Sequence, residues 1–394
     1  MRILLFDIDG VLLRPLGYRK AYFDTCNWII RESGLKVNSP AEDIPALFES
    51  FGVTSEWDML AITVSIILKA FLKIFQVQIS ANTLTEAINE ISRHKIKAFA
   101  VDYRSEIQLL GTFYDSDEIP SVGVYQHWRS ISGEGDLQDE LLENILCHTR
   151  NVKVSLITKL FQNLVLGSDT FNENYGLQSI IECQSYLREF DQSLILQTMQ
   201  NTLEKLINNK ELFCAAFTAR PSLGPKENPS KEFGIYSPEA ELALDVVGMK
   251  DLLLIGTGHL QFIGDHIKTS ADSLLKPNAF HALAAFFTIL TNNESEGLQL
   301  AFEFVSNNYQ MPKTDTEGNS IEYPDTLEIA VFEDSQGGIR SLAAASELLN
   351  IAGLVVNTRF FGISTNPDKM KPLTSLQAEI YPDINTALEN HIYN

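Results

Sequence analysis

Cysteine is scarce in this chain. Cys26, Cys147, Cys183 and Cys214 are scattered through 394 residues, with no Cys-x-x-Cys pair. That disfavours a disulfide framework at this length and leaves no zinc-finger spacing, so a reducing, cytoplasmic setting is expected. Positive charge is also short. Thirty Lys and Arg stand against 51 Asp and Glu, a net charge of −21, and no basic stripe gathers the cations. Nucleic acid and anionic membrane are therefore disfavoured as partners. The seven histidines show no metal-ligand spacing. Long uncharged apolar runs are missing too. Asp7 and Asp9 interrupt the apolar N-terminus before a signal-peptide core could form. Lys69 and Lys73 break the stretch from Leu60 to Phe75, which reads as a buried helix rather than a bilayer span. No repeat of fixed period is visible.

What remains is ordinary globular sequence, nearly half apolar and about a fifth charged, long enough for two or three domains. It falls into two kinds. From about Lys20 to Asn209 apolar residues recur at helical spacing, as in Ala61, Val64, Ile67, Leu68, Phe71, Leu72 and Phe75. Helices are predicted over Leu84–Ile91, Leu137–Leu146, Val154–Leu166, Ser179–Phe190 and Ser193–Ile207. Loops are predicted at Ser116–Gly123, Ser132–Gly135 and Gly167–Gly176. From about Glu211 short apolar runs (Phe213–Phe217, Leu252–Ile255, Leu327–Phe332, Ile351–Val356) alternate with helical segments (Pro238–Val247, Pro277–Leu290, Leu298–Val305, Ile339–Leu349). Such alternation predicts a parallel sheet covered on both faces. A polar loop is expected over Ser306–Asp325 and a short terminal helix after Tyr381.

The first ten residues are the most telling. Ile3-Leu4-Leu5-Phe6 reads as a buried parallel strand, and Asp7-Ile8-Asp9-Gly10 follows at the end where open α/β sheets bind ligands. Two carboxylates so close call for a cation between them. The first strand needs partners, so it is predicted to join the later sheet. The fold expected is a Rossmann-like α/β core, residues 1–14 and 211–394, with a large mostly helical domain, 15–210, inserted after the first strand. Inserted domains of this type often act as lids.

Three further elements carry chemistry. Thr218-Ala219-Arg220 follows a predicted strand, where a hydroxyl and backbone N–H groups can grip phosphate. Lys276-Pro277 opens an apolar helix, and its ammonium can neutralise phosphate oxygens. Glu333-Asp334-Ser335 follows another strand and offers hard oxygen ligands that suit Mg²⁺. Each also has a plainer reading as a cap, turn or solvated residue.

The ordered set Asp7-Ile8-Asp9-Gly10, Thr218, Lys276-Pro277 and Glu333-Asp334-Ser335 resembles the haloacid dehalogenase (HAD) superfamily, and the insertion resembles a C1-type cap. The resemblance covers residues 1–14 and 213–360. It implies an Mg²⁺-dependent phosphatase acting on a small phosphorylated metabolite. Asp7 would be the nucleophile, forming an aspartyl-phosphate, and Asp9 the acid and base. Asp7, the carbonyl of Asp9 and Asp334 would hold the metal, with Glu333 helping directly or through water. Thr218, Ala219 and Lys276 would hold the phosphoryl oxygens. Asp at position 9 points within the superfamily to a phosphatase or a phosphomutase of the beta-phosphoglucomutase type. A non-catalytic binding or regulatory protein on the same fold is a further alternative.

Two possible substrate contacts remain. Arg220 would touch substrate or lie on the surface. Trp57 would line a substrate pocket, or pack inward if Ser55-x-x-Asp58 forms a capping box, which is the reading preferred. A loop over Phe171–Gly176, with Tyr175, is a second possible substrate element. Gly264-Asp265 resembles the acidic motif but precedes Lys276, and is read as structural.

Overall fold

The computed structural model describes residues 1–114, 119–131, 137–228 and 236–393. The chain divides into two compact units, residues 1–15 with 191–394, and residues 16–190. The predicted loop Ser132–Gly135 lies outside the described residues, as do the first three residues of Ser116–Gly123.

The first unit is built on strands β1 (Arg2–Phe6), β2 (Leu13–Arg14), β3 (Gln192–Ser193), β4 (Phe213–Phe217), β5 (Leu253–Ile255), β6 (Thr326–Glu333), β7 (Val355–Ile363) and β8 (Glu379–Tyr381). Six form one sheet in the order β5-β4-β1-β6-β7-β8, every pair parallel. β2 and β3 make a short antiparallel pair of their own. The architecture is α/β, a Rossmann-like parallel sheet with a helical insertion. β1 sits between β4 and β6, with Leu4 opposite Cys214 on one side and Ala330 on the other.

The apolar runs are continuous because both faces of the sheet are covered. Ile3, Leu5, Phe217 and Val331 pack with the helices Ala279–Thr291 and Gln336–Ile351. Leu4, Phe6, Ala216 and Phe332 face the other way, toward Leu203, Leu244 and Leu388. Phe6, Phe332 and Phe361 stack across three neighbouring strands, with centroids 5.2 and 4.7 Å apart. Each such side chain contributes roughly 1.5–3 kcal/mol on burial.

Several expected elements shift. The helix Gln197–Asn208 lies in the unit that holds the sheet, not in the helical one. The last long strand begins at Val355, because the preceding helix runs on to Ile351. Gly167–Gly176 is not a loop. Gly167 and Gly176 bracket a helix, Ser168–Tyr175, whose Phe171 and Tyr175 are buried. Only Tyr186–Phe190 of the helix expected over Ser179–Phe190 is helical. Segment 307–325 holds a single bridge, Thr314 to Ser320.

The second unit is helical. The helices Leu16–Glu32, Glu56–Phe75 and Leu156–Leu166 pack together, and Tyr22 and Thr63 share a buried 2.7 Å hydrogen bond. The apolar stretch around Leu60–Phe75 is a largely buried helix, and the Lys69 ammonium lies 4.7 Å from the Trp128 ring centroid. Among the described residues no helix is long and apolar enough to cross a membrane.

Candidate active site

Asp7 continues β1 past its last residue, donating its backbone N–H to Phe332 at 3.0 Å. Its carboxylate accepts from the backbone of Ile8 at 2.8 Å. The chain then turns sharply, with the N–H groups of Leu12 and Leu13 both returning to the Ile8 carbonyl. Gly10 makes the turn possible. It has φ +76°, and a Cβ there would lie 2.5 Å from an Asp334 carboxylate oxygen.

Lys276 is the cation at this strand end. Its side chain is buried, with Nζ 2.8 Å from Asp7 Oδ1, 2.6 Å from Glu333 Oε1 and 4.9 Å from the Phe217 ring centroid. Burial alone would lower its pKa, but Asp7 and Glu333 outweigh it and hold the ammonium charged well above its ordinary range. Lys276 does not open a helix, as the sequence suggested. The helix starts at Ala279, after an Asn278 N-cap that accepts from Phe280. His281 fixes the lysine backbone instead. Its Nδ1 accepts the Lys276 N–H at 3.2 Å, and its Nε2 lies 3.0 Å from the Ile255 carbonyl, a pattern that requires the neutral Nε2–H tautomer.

Burial pushes the His281 pKa down to about 3, with the Lys276 charge adding to the shift against the bond to Ile255. The unfolded chain binds a proton near 6.5 that the fold refuses, so this imidazole makes folding less favourable as pH falls from 6.5 toward about 3. The limiting slope is about 1.4 kcal/mol per pH unit. We expect the urea midpoint to fall on acidification from about pH 7 to 5. His281→Gln, which can keep both hydrogen bonds, should flatten that fall. An unchanged slope in the variant would refute the assignment.

Glu333 is wholly buried, and all of its accepting capacity is engaged. Oε1 takes Lys276 and the Gly338 N–H at 2.9 Å, and Oε2 takes the Ser335 N–H at 3.1 Å and hydroxyl at 2.9 Å. A Cβ on Gly338 would fall 2.3 Å from Oε1. Asp334 turns the other way and pairs with Lys369. Asp7, Glu333 and Asp334 each offer an oxygen within 4.8 Å of the others. Burial raises the Asp7 carboxyl well above its usual range, and Glu333, Asp334 and Asp9 add to this against Lys276. Burial raises Asp334 too, against Lys369. This corner of the protein is short of positive charge.

Thr218 is buried just past β4. Its N–H donates to Ile255 at 3.0 Å and its hydroxyl accepts the Arg220 N–H at 3.2 Å. The loop beyond it is held by Ser222, whose hydroxyl accepts the Gly258 N–H at 3.0 Å and meets His259 Nδ1 at 3.1 Å. His259 in turn lies 3.2 Å from Glu294. Arg220 is neither on the surface nor open to a ligand. It is 3% exposed and grips both oxygens of Asp9. The same guanidinium reaches Asp191, at 3.2 Å. A cleft of about 300 Å³ lies on the Asp334 and Lys369 side, lined also by Gly10, Val11, Arg14 and Thr365 among others.

Trp57 belongs to the helical unit. Ser55 stands at the helix N-cap but makes no side-chain cap bond. The capping box is absent because Asp58 turns inward, taking Arg150 at 2.7 Å and Ser121 at 2.7 Å. The Arg150 guanidinium lies 4.9 Å from the Trp57 ring centroid. Gly264 and Asp265 sit on the helix Thr257–Ile267, where Asp265 accepts from Gln261, a structural place. Sequence reasoning missed Asp191 and Lys369. Neither stands in a motif, and only the folded chain brings them to Arg220 and Asp334.

No protein-family model and no curated protein matches the chain. Among solved structures, Northeast Structural Genomics Consortium target ZR25 superposes with a TM-score of 0.64 at 15% identity, covering 100% of this chain and 99% of that one. Phosphatase Tt82 from Thermococcus thioreducens aligns with a TM-score of 0.40 at 12% identity, covering 94% of this chain and 99% of its own. The first likeness shows a shared fold.

Proposed function

We propose that this protein is a phosphohydrolase of the HAD type, acting on a small-molecule phosphomonoester through a phosphoryl group carried on Asp7. One observation carries the reading: a buried Asp7 carboxylate 2.8 Å from a buried lysine, with Asp334 and Asp9 beside it, at the C-terminal end of adjacent parallel strands.

The donor set fits a divalent ion. Among the described ion pairs, the carboxylates of Asp7, Asp9, Asp191, Glu333 and Asp334 outnumber the cations Lys276, Lys369 and Arg220. Asp7, the main-chain carbonyl of Asp9 and Asp334 would hold Mg²⁺, all hard oxygen donors. Glu333 serves better as the anchor of Lys276, since a metal bond would compete with its four hydrogen bonds. The ion would neutralise phosphoryl oxygens. Lys276, the Thr218 hydroxyl and the N–H of Ala219 would hold the remaining charge. An Asp7 oxygen attacks phosphorus as the ester oxygen leaves with a proton from Asp9. Water then attacks phosphorus, gives its proton to Asp9 and frees Asp7, releasing inorganic phosphate.

A panel of phosphorylated metabolites with Mg²⁺ tests this. Hydrolysis of at least one ester is expected, and acid quenching during turnover should leave a phosphoryl group on the peptide that contains Asp7. An unmodified peptide during turnover, or no hydrolysis across the panel, would sink the proposal. Slow loss of that phosphoryl group with a requirement for a bisphosphate would mark a mutase instead.

A further inference from the structure

Arg220 is tied at both ends. Its carbonyl accepts the Thr257 N–H at 3.1 Å and hydroxyl at 3.2 Å, and its N–H reaches Thr218. Its guanidinium, 2% exposed, gives Nε to both Asp9 oxygens at 3.0 and 2.8 Å, and Nη2 to Asp9 Oδ1 at 2.6 Å. Nη2 also meets Asp191 Oδ2 at 3.2 Å, and that side chain is wholly buried. One buried cation therefore serves two carboxylates that lie far apart in the sequence.

We infer that Arg220 is a positioning residue for Asp9, aiming it at the departing ester oxygen, and that Asp191 is the fixed counter-charge that keeps Arg220 in place. The inference rests on the phosphohydrolase reading. In that cycle Asp9 alternates between neutral acid and carboxylate. It gives its proton to the ester oxygen as the phosphorus–oxygen bond breaks and the bond to Asp7 forms, and later takes one from the attacking water. While Asp9 is neutral, an arginine held by Asp9 alone would be a buried charge without a counter-charge. Asp191 removes that penalty, so the guanidinium stays put while Asp9 works. Bidentate contact also selects one carboxylate orientation, which an ammonium would not do as well.

The test exploits the leaving group. A nitrophenolate departs without a proton, whereas an alkoxide needs one. kcat/KM reports the steps through ester cleavage, and the ratio of the two values is independent of how much variant is folded. Arg220→Met is expected to lower kcat/KM for the best alkyl phosphate of the panel about 10²-fold more than for p-nitrophenyl phosphate. Arg220→Lys should recover part of the ratio. Asp191→Asn should lower the same ratio with Arg220 still present. Equal losses on the two esters in these variants would overturn the inference and leave the phosphohydrolase reading standing. A parent protein that hydrolyses no phosphate ester would overturn both.

Discussion

Asp7→Asn is expected to lose ester hydrolysis by at least about 10³-fold, because an amide cannot carry the phosphoryl group that the proposed reaction places on Asp7. The same substitution should not weaken the fold. Asp7 is buried among Glu333, Asp334 and Asp9, and its carboxyl is pushed well up by burial first and by those neighbours second. An amide removes one of the crowded charges. It can still accept the Ile8 N–H, and Lys276 keeps Glu333 at 2.6 Å. Without a divalent ion, the thermal midpoint of Asp7→Asn should therefore match or exceed that of the parent. With Mg²⁺ added, the parent should gain more than the variant, since it has one ligand more. Loss of activity with a lowered midpoint would mean that the substitution had merely damaged the protein.

Lys276→Met should show the converse. Removing the ammonium leaves Asp7 and Glu333 buried with no cation on either, and breaking such a pair costs about 3–5 kcal/mol. Methionine replaces much of the packing against Phe217 but none of the charge. Mg²⁺ should then recover more midpoint in Lys276→Met than in the parent, because the ion would supply the charge that the variant lacks. Thermal unfolding with and without the ion measures both. A variant as stable as its parent would show that the lysine is not what balances these carboxylates.

The sheet was legible because its signal is local. An apolar run bounded by Gly or a charged pair declares a strand, and β1, β4, β5 and β6 stand within a residue or two of their expected places. The carboxylates after β1 and β6 could be read for the same reason, since each is adjacent to its strand. Arg220 had no such marker. Whether an arginine two residues past a threonine faces solvent, a ligand or two carboxylates depends on Asp9 and Asp191, and nothing in the local pattern records either distance. Asp191 was hidden further, because the residues from Asp191 to Lys210 continue the helical periodicity that precedes them while packing in the unit that holds the sheet. The Ser168–Tyr175 helix was missed because its Asp and Asn content outweighed the spacing of Phe171 and Tyr175. Ser55 and Asp58 have the residue types of a capping box, but Asp58 is buried and Arg150 made a stronger claim on it.

The position of β1 also bears on how the molecule is made. Ile3 precedes both of its partners along the chain and must wait for Phe213 on one flank and Ile329 on the other. Contacts that span so much chain form slowly, and until they do an apolar segment stays available to the wrong neighbours. Asp7 and Lys276 likewise meet only once the segments between them have been made, so a product truncated before Lys276 would lack the ion pair at this strand end.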